Sequence, residues 1–344
     1  MDTLVRPRLQ ILTGLPAGFL NCTAADLYRI LPRPALIHLP GKRSPALFVS
    51  ILLHGNEDVG LQALQRVLAG FAGRELPRAM SLFIGNVEAA RAGVRRLDDQ
   101  PDYNRVWPGT DVSECPEAAM MREVTETMRT RGVFASIDLH NNTGLNPHYA
   151  CVTSLTPAFL QLAGLFSRTV VYFRTPRGVQ SAAFAELAPA VTCECGKTGD
   201  ESGVAHAAQL VEACLRLEHV PDHPVREGDV HLFHTVATIK PAEMLSMSFD
   251  GTPADLQFVT SLDHYNFREL EAGTLLARSR DPEALHAHGE SGDDITSEVL
   301  IRVADGWRLR KPFMPAMLTR DERVVRQDCL CYLMQRMTLP PAIG

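Results

Sequence analysis

Three residues of this chain combine into a recognisable chemistry: His54, Glu57 and His140. In His54-Gly55-Asn56-Glu57, an imidazole and a carboxylate stand at i and i+3, where an apolar strand gives way to a helix. His140 closes a second apolar strand, Ile137-Asp138-Leu139-His140. Ligand sites in open α/β sheets gather at the carboxyl ends of strands, so neighbouring strands bring the three together. Two histidines and one glutamate with an open fourth position form a catalytic zinc set. Asp138, two residues before His140, is suited to hold the other nitrogen of that ring. Each feature also has a plainer reading. A strand-end histidine is commonly just a hydrogen-bonded structural residue, and a glutamate in a first helical turn favours the helix dipole. On pattern alone both readings stay open.

The elements that must position these residues alternate regularly. Ala46 to Leu53 is a near-continuous apolar run, as for a strand buried on both faces. Val59, Leu61, Leu64, Val67, Leu68 and Phe71 then recur at helical spacing. Strands are predicted at 81–84, 133–139, 149–153, 169–173 and 191–195. Helices are predicted at 115–131, 157–166 and 202–217. This order predicts a three-layer α/β/α sandwich. After Pro221-Asp222-His223-Pro224 the pattern changes to short β-rich pieces at 231–239, 257–260, 274–277, 298–303 and 307–311. A boundary is therefore expected near 222, dividing a catalytic domain (1–222) from a smaller β-rich domain (223–344). Residues 279–295, polar and Gly-containing, read as an exposed loop.

Composition excludes several classes. The chain has 344 residues, 45% apolar and 22% charged, with a net charge of −6. A disordered chain would be less apolar and more charged, and a nucleic-acid binder would carry a basic surplus. No apolar run reaches the roughly 18 residues of a membrane helix, and Asp2, Arg6 and Arg8 interrupt any signal-like start. The expected setting is cytoplasmic, with no nucleic-acid or membrane partner; a homo-oligomer is compatible with the composition. Eight cysteines over this length suit reduced thiols. The pairs Cys193/Cys195 and Cys329/Cys331 have one-residue spacing, which favours buried fillers over zinc ligands. Gly196-Lys197-Thr198 ends like a phosphate loop, but Val191 stands where that loop requires glycine.

Four blocks, in order, give residues 46–217 a specific resemblance. They are His54-Gly55-Asn56-Glu57, Gly85-Asn86 leading through Arg95 to Asn104-Arg105, Asp138-Leu139-His140-Asn141, and Cys193-Glu194-Cys195-Gly196. Together they resemble the succinylglutamate desuccinylase/aspartoacylase branch of the zinc carboxypeptidase superfamily. The resemblance implies that His54, Glu57 and His140 bind one zinc ion per chain, and that Glu194 is the general base. It further implies that Arg95 holds the scissile carbonyl oxygen and that Asn104 and Arg105 grip a substrate carboxylate. Asn141, beside His140, is carried over with them as a substrate contact. The implied reaction is hydrolysis of an amide next to a free carboxylate in a small molecule, most naturally deacylation of an N-acyl amino acid.

The chain also departs from the branch. Val87 stands where the branch often has proline, and the connection from Arg96 to Asn104 is slightly long. Phe184 occupies the position of the arginine that binds the acidic side chain in aspartoacylases. His148, Tyr149, Arg174 and Arg177 are candidates for shaping specificity instead. Two rival readings stand beside the deacylase: a metallocarboxypeptidase acting on short peptides or peptide-like conjugates, and a binding protein that keeps the pocket without turnover.

Overall fold

The computed structural model describes residues 9–339. Nine strands carry the chain as far as Pro241: β1 Gln10–Leu12, β2 Ala35–Leu39, β3 Ala46–Ile51, β4 Met80–Ile84, β5 Val133–Asn142, β6 Tyr149–Val152, β7 Thr169–Tyr172, β8 Ala190–Lys197 and β9 His231–Pro241. Between them lie α1 Val59–Gly70, α2 Val87–Ala92, α3 Pro116–Arg131, α4 Pro157–Phe166, α5 Gln180–Phe184 and α6 Glu201–Arg216. The strands form a mixed sheet in the order β1-β2-β4-β3-β5-β8-β6-β7-β9. Its centre, β4-β3-β5-β8, is parallel, which explains the unbroken apolar runs there: both faces are covered.

Strand alternation decides what each face carries. Ile51 and Leu139 meet Gly60 of α1, and the Cys195 strand position meets Gly203 of α6. On the other face Phe48 stacks on Phe184 of α5 at 4.1 Å between ring centroids, Gln180 donates to Ser136, and Thr192 donates to Ser181. Helices thus cover both faces, giving the three layers. Cys193 and Cys195 are fully buried fillers on the α6 side, and all eight cysteines are unpaired thiols.

The remaining elements are β10 Met247–Ser248, β11 Leu256–Phe258, β12 Leu275–Arg278, β13 Leu285–His288, α7 Thr296–Val299, β14 Leu300–Val303, β15 Gly306–Leu309, β16 Met314–Ala316, α8 Glu322–Gln327 and β17 Cys331–Arg336. Five of these strands form a separate sheet, β10-β11-β12-β15-β14. The others extend the large sheet: β9 pairs parallel with β7, then with β17 and β13. Sheet hydrogen bonding therefore runs across residue 222, whereas the two main apolar cores divide close to it, one reaching Leu232 and the other starting at Ala237. One expectation is corrected. Residues 279–295 are not simply an exposed loop, because Leu285–His288 pairs antiparallel with β9 and buries Leu285 and Ala287. The alternation of small apolar residues with His286 and His288 was hidden by the polar residues on either side.

Candidate active site

The parallel centre of the sheet delivers a polar stripe. Ser50 on β3, Asp138 and His140 on β5, and Thr192 and Glu194 on β8 occupy alternate positions on the α5 face, with Asp138 beside Thr192 and His140 beside Glu194 in register. Past the end of β3 the chain turns sharply. Leu52 takes a φ of 53°, a conformation that costs a non-glycine residue about 1–3 kcal/mol and tends to occur at functional sites. Its carbonyl accepts the Asn86 N–H at 2.6 Å. Gly55 then packs so closely on α2 that a Cβ would lie 2.1 Å from the Ala89 carbonyl carbon. Gly55→Ala is accordingly expected to destabilise the protein by about 1–3 kcal/mol through overpacking and to lower metal content. Thermal unfolding and metal analysis check both; an unchanged metal content would show that the turn tolerates displacement.

His54, Glu57 and His140 converge. Glu57 Oε1 lies 2.8 Å from His54 Nδ1, and Oε2 lies 2.7 Å from His140 Nδ1. One donor atom from each of the three residues falls within 4.8 Å of the others, and all three side chains are buried. The second nitrogen of each ring is held by an acid: His140 Nε2 donates to Asp138 at 2.7 Å, and His54 Nε2 donates to Asp102 at 3.0 Å. Asp138 also accepts from the Ser50 hydroxyl at 2.6 Å. Carboxylates behind both imidazoles fix tautomer and ring orientation, the usual support of metal-binding histidines. The donor set thus fits a divalent ion with nitrogen and oxygen ligands.

The electrostatics agree. Burial alone would raise the Glu57 carboxyl, but the two imidazoles outweigh it and hold it well below the usual range. Burial would lower His140, but Asp138 and Glu57 outweigh it and raise the ring well above its ordinary value. This cage of acids attracts positive charge, whether protons or a metal ion. Glu194 differs. It is 7% exposed, it accepts a long hydrogen bond from the Asn142 amide at 3.5 Å, and burial pushes it up to about 7 against the lowering effect of His140.

The eight residues singled out from sequence all line one cleft of about 700 Å³, including the part open to solvent. Their situations within it differ. Arg95 is buried, with guanidinium nitrogens 3.1 and 2.8 Å from Asp102 and 3.7 Å from Glu57. Its neighbour Arg96 instead ties down the Leu97 and Gln100 carbonyls. The Asn104 side chain is committed to the framework: its oxygen accepts the Gln180 N–H at 2.9 Å and its amide faces Asp138 at 3.5 Å. Both ends of the Asn141 amide are likewise engaged, accepting from the Val59 N–H and donating to the Gly196 carbonyl. Arg105 faces the cleft and donates to Asp328 at 2.8 Å. Of the other candidates, Tyr149 lines the cleft, whereas Arg174 and Arg177 are exposed and paired with Glu290 and Asp111. His148 packs against Phe166 and His206.

Sequence reasoning missed Asp102, Asp328 and Tyr332. Asp102 follows Asp98 and Asp99, and no spacing rule separates it from them. Tyr332 lies on β17 and Asp328 just before it, both brought to the cleft by the pairing of β17 with β9.

Known proteins share the domain and the fold. Residues 43–218 match the family model of the succinylglutamate desuccinylase/aspartoacylase catalytic domain. A succinylglutamate desuccinylase of Burkholderia orbicola is 27% identical over 272 residues, covering 71% of this chain and 75% of that protein. Among solved structures, the succinylglutamate desuccinylase of Chromobacterium violaceum aligns with a TM-score of 0.56 at 20% identity, covering 86% of each chain. Murine aminoacylase 3 aligns with a TM-score of 0.55 at 15% identity, covering 87% of this chain and 99% of its own. Since the matched domain spans just over half of its length, the chain belongs to the succinylglutamate desuccinylase/aspartoacylase family.

Proposed function

We propose that the protein is a zinc-dependent hydrolase that removes the acyl group from an N-acyl amino acid. The observation that carries this reading is a buried His54–Glu57–His140 cage sharing one cleft with a fourth, unshared acid, Glu194. His54, Glu57 and His140 would hold one zinc ion, and when bound it supplies Lewis acidity, easing proton removal from water and drawing electron density from a carbonyl oxygen. Glu194 takes a proton from the attacking water and passes it to the departing amine nitrogen. Arg95, fixed by Asp102, presents positive charge where the carbonyl oxygen turns anionic. Arg105 offers a planar fork to the substrate carboxylate. Asn104 and Asn141 act beneath these groups by holding Asp138, the start of α1 and β8 in place. The names of the relatives, desuccinylase and aminoacylase, support acyl removal from an amino acid.

The same reading treats residues 1–222 as the catalytic unit and 223–344 as a β-rich unit that completes the cleft; the separate cores support the division. No helix among the described residues is long and apolar enough to cross a membrane. A cytoplasmic setting is part of the proposal and accords with eight unpaired cysteines.

The test is amine release from a panel of N-acyl amino acids and dipeptides by zinc-loaded protein. Turnover of N-acyl amino acids that is abolished by chelation and restored by zinc is expected. Turnover of dipeptides alone would favour the carboxypeptidase reading, and turnover of neither would reject both.

A pH dependence follows from Glu194. A general base works only when deprotonated, so kcat/KM should fall as pH drops through its pKa. Burial sets that near 7 without metal, and a bound cation lowers it. A pH–rate profile should therefore show an acid limb with its midpoint at or below about 7. Activity that rises on acidification across this range would contradict the assignment.

A further inference from the structure

We propose that Asp328 is a specificity determinant that restricts the cleft to substrates with a single carboxylate and an uncharged acyl group. The inference rests on the deacylase reading above and narrows it. Among the described residues, Arg95 and Arg105 are the only arginine or lysine side chains lining the cleft. Asp328 engages both: one carboxylate oxygen lies 2.8 Å from Arg105 and the other 3.3 Å from Arg95. Asp102 meets the same terminal nitrogen of Arg95 at 2.8 Å and its Nε at 3.1 Å. Each guanidinium therefore meets an acid before substrate enters.

Arg105 retains N–H groups beyond those given to Asp328, the Tyr332 hydroxyl and the Asn104 carbonyl. It can share itself with one substrate carboxylate. A second carboxylate, on either the acyl group or the amino acid side chain, finds no cation outside the metal site. It meets instead the walls formed by Tyr149, Val171, Phe173 and Val179, where an unpaired charge is costly to bury. Excluding a partner by pre-neutralising the charge it needs is a common route to specificity.

Two matched substrate pairs test this with zinc-loaded enzyme: N-acetylglutamine against N-acetylglutamate, and the N-butanoyl against the N-succinyl derivative of one amino acid. Wild type should favour the uncharged member of each pair in kcat/KM by about 10- to 100-fold, the worth of one unmade charged hydrogen bond. Asp328→Asn, which keeps the side-chain shape, should move both ratios toward the acidic member by about tenfold or more, chiefly through KM. Asp328→Glu should keep the wild-type order, and metal content measured on each variant confirms an assembled site. A wild type that prefers the acidic members overturns the inference. So does an Asp328→Asn variant that lowers kcat/KM for both members by one common factor, since that marks a purely structural role. Turnover of no member of either pair by wild type removes the deacylase reading itself, and this inference with it.

Discussion

Replacing Glu194 with glutamine is expected to lower kcat by about 10²- to 10⁴-fold, the usual contribution of a positioned acid–base group, while metal content stays at the wild-type level. The two effects separate because Glu194 lies outside the His54–Glu57–His140 cage. Glutamine preserves shape and can still accept from Asn142, but it cannot take a proton from water. Burial already disfavours the charged carboxylate there, so a neutral amide should leave thermal stability equal or higher. Activity, metal stoichiometry and unfolding midpoint together form the check. A variant that keeps more than about a tenth of wild-type kcat would remove the general-base role, since even a weak contribution of this type exceeds tenfold. A variant that loses its metal would instead move Glu194 into the ligand set.

The site was legible in sequence to the extent that strand ends encode it. His54 and His140 close the apolar runs of two adjacent parallel strands, and burial on both faces makes such runs conspicuous; Glu194, inside the next strand, was reached only through the family resemblance. Asp138 was legible for a related reason: i and i+2 on a strand share a face, so it had to lie beside His140. The helices α1 and α6 were readable from their amphipathic spacing. What sequence concealed was convergence from a distance. Asp328 is separated from Arg105 by 223 positions, and nothing local marks it among the acidic and basic residues of α8 and its flanks. It reaches the cleft only because β17 pairs with β9, and β9 with β7. Both β2 and β17 escaped notice because short strands within mixed sequence lack a long periodic signal. The Asn104 and Asn141 amides illustrate the opposite limit. Their positions were foreseen, but only the folded structure reveals that both are engaged with the backbone rather than left free for substrate.

Removing His140 should have the largest combined effect, because the ring sits between two acids. His140→Ala leaves Glu57 and Asp138 buried without the imidazole that bridges them. Breaking a buried ion pair by deleting one partner costs about 3–5 kcal/mol, so a marked fall in unfolding temperature is expected in the metal-free protein. Zinc content should drop to a small fraction of one per chain, and turnover should fall to background. A strand histidine outside the site supplies the contrast. His38 is also buried, and its Nδ1 lies 2.9 Å from the Ser81 hydroxyl. His38→Ala should lose only the about 1–3 kcal/mol of an orphaned polar group while retaining full zinc content and turnover. The comparison separates a metal ligand from a merely well-packed histidine, the alternative that sequence alone left open for both strand ends. Adding His140→Ala to Glu194→Gln should cost far less activity than the product of the single losses, since both residues serve one chemical step. Full zinc loading of His140→Ala, or equal metal loss in His38→Ala, would mean that the cage is a structural ion-pair network rather than a metal centre.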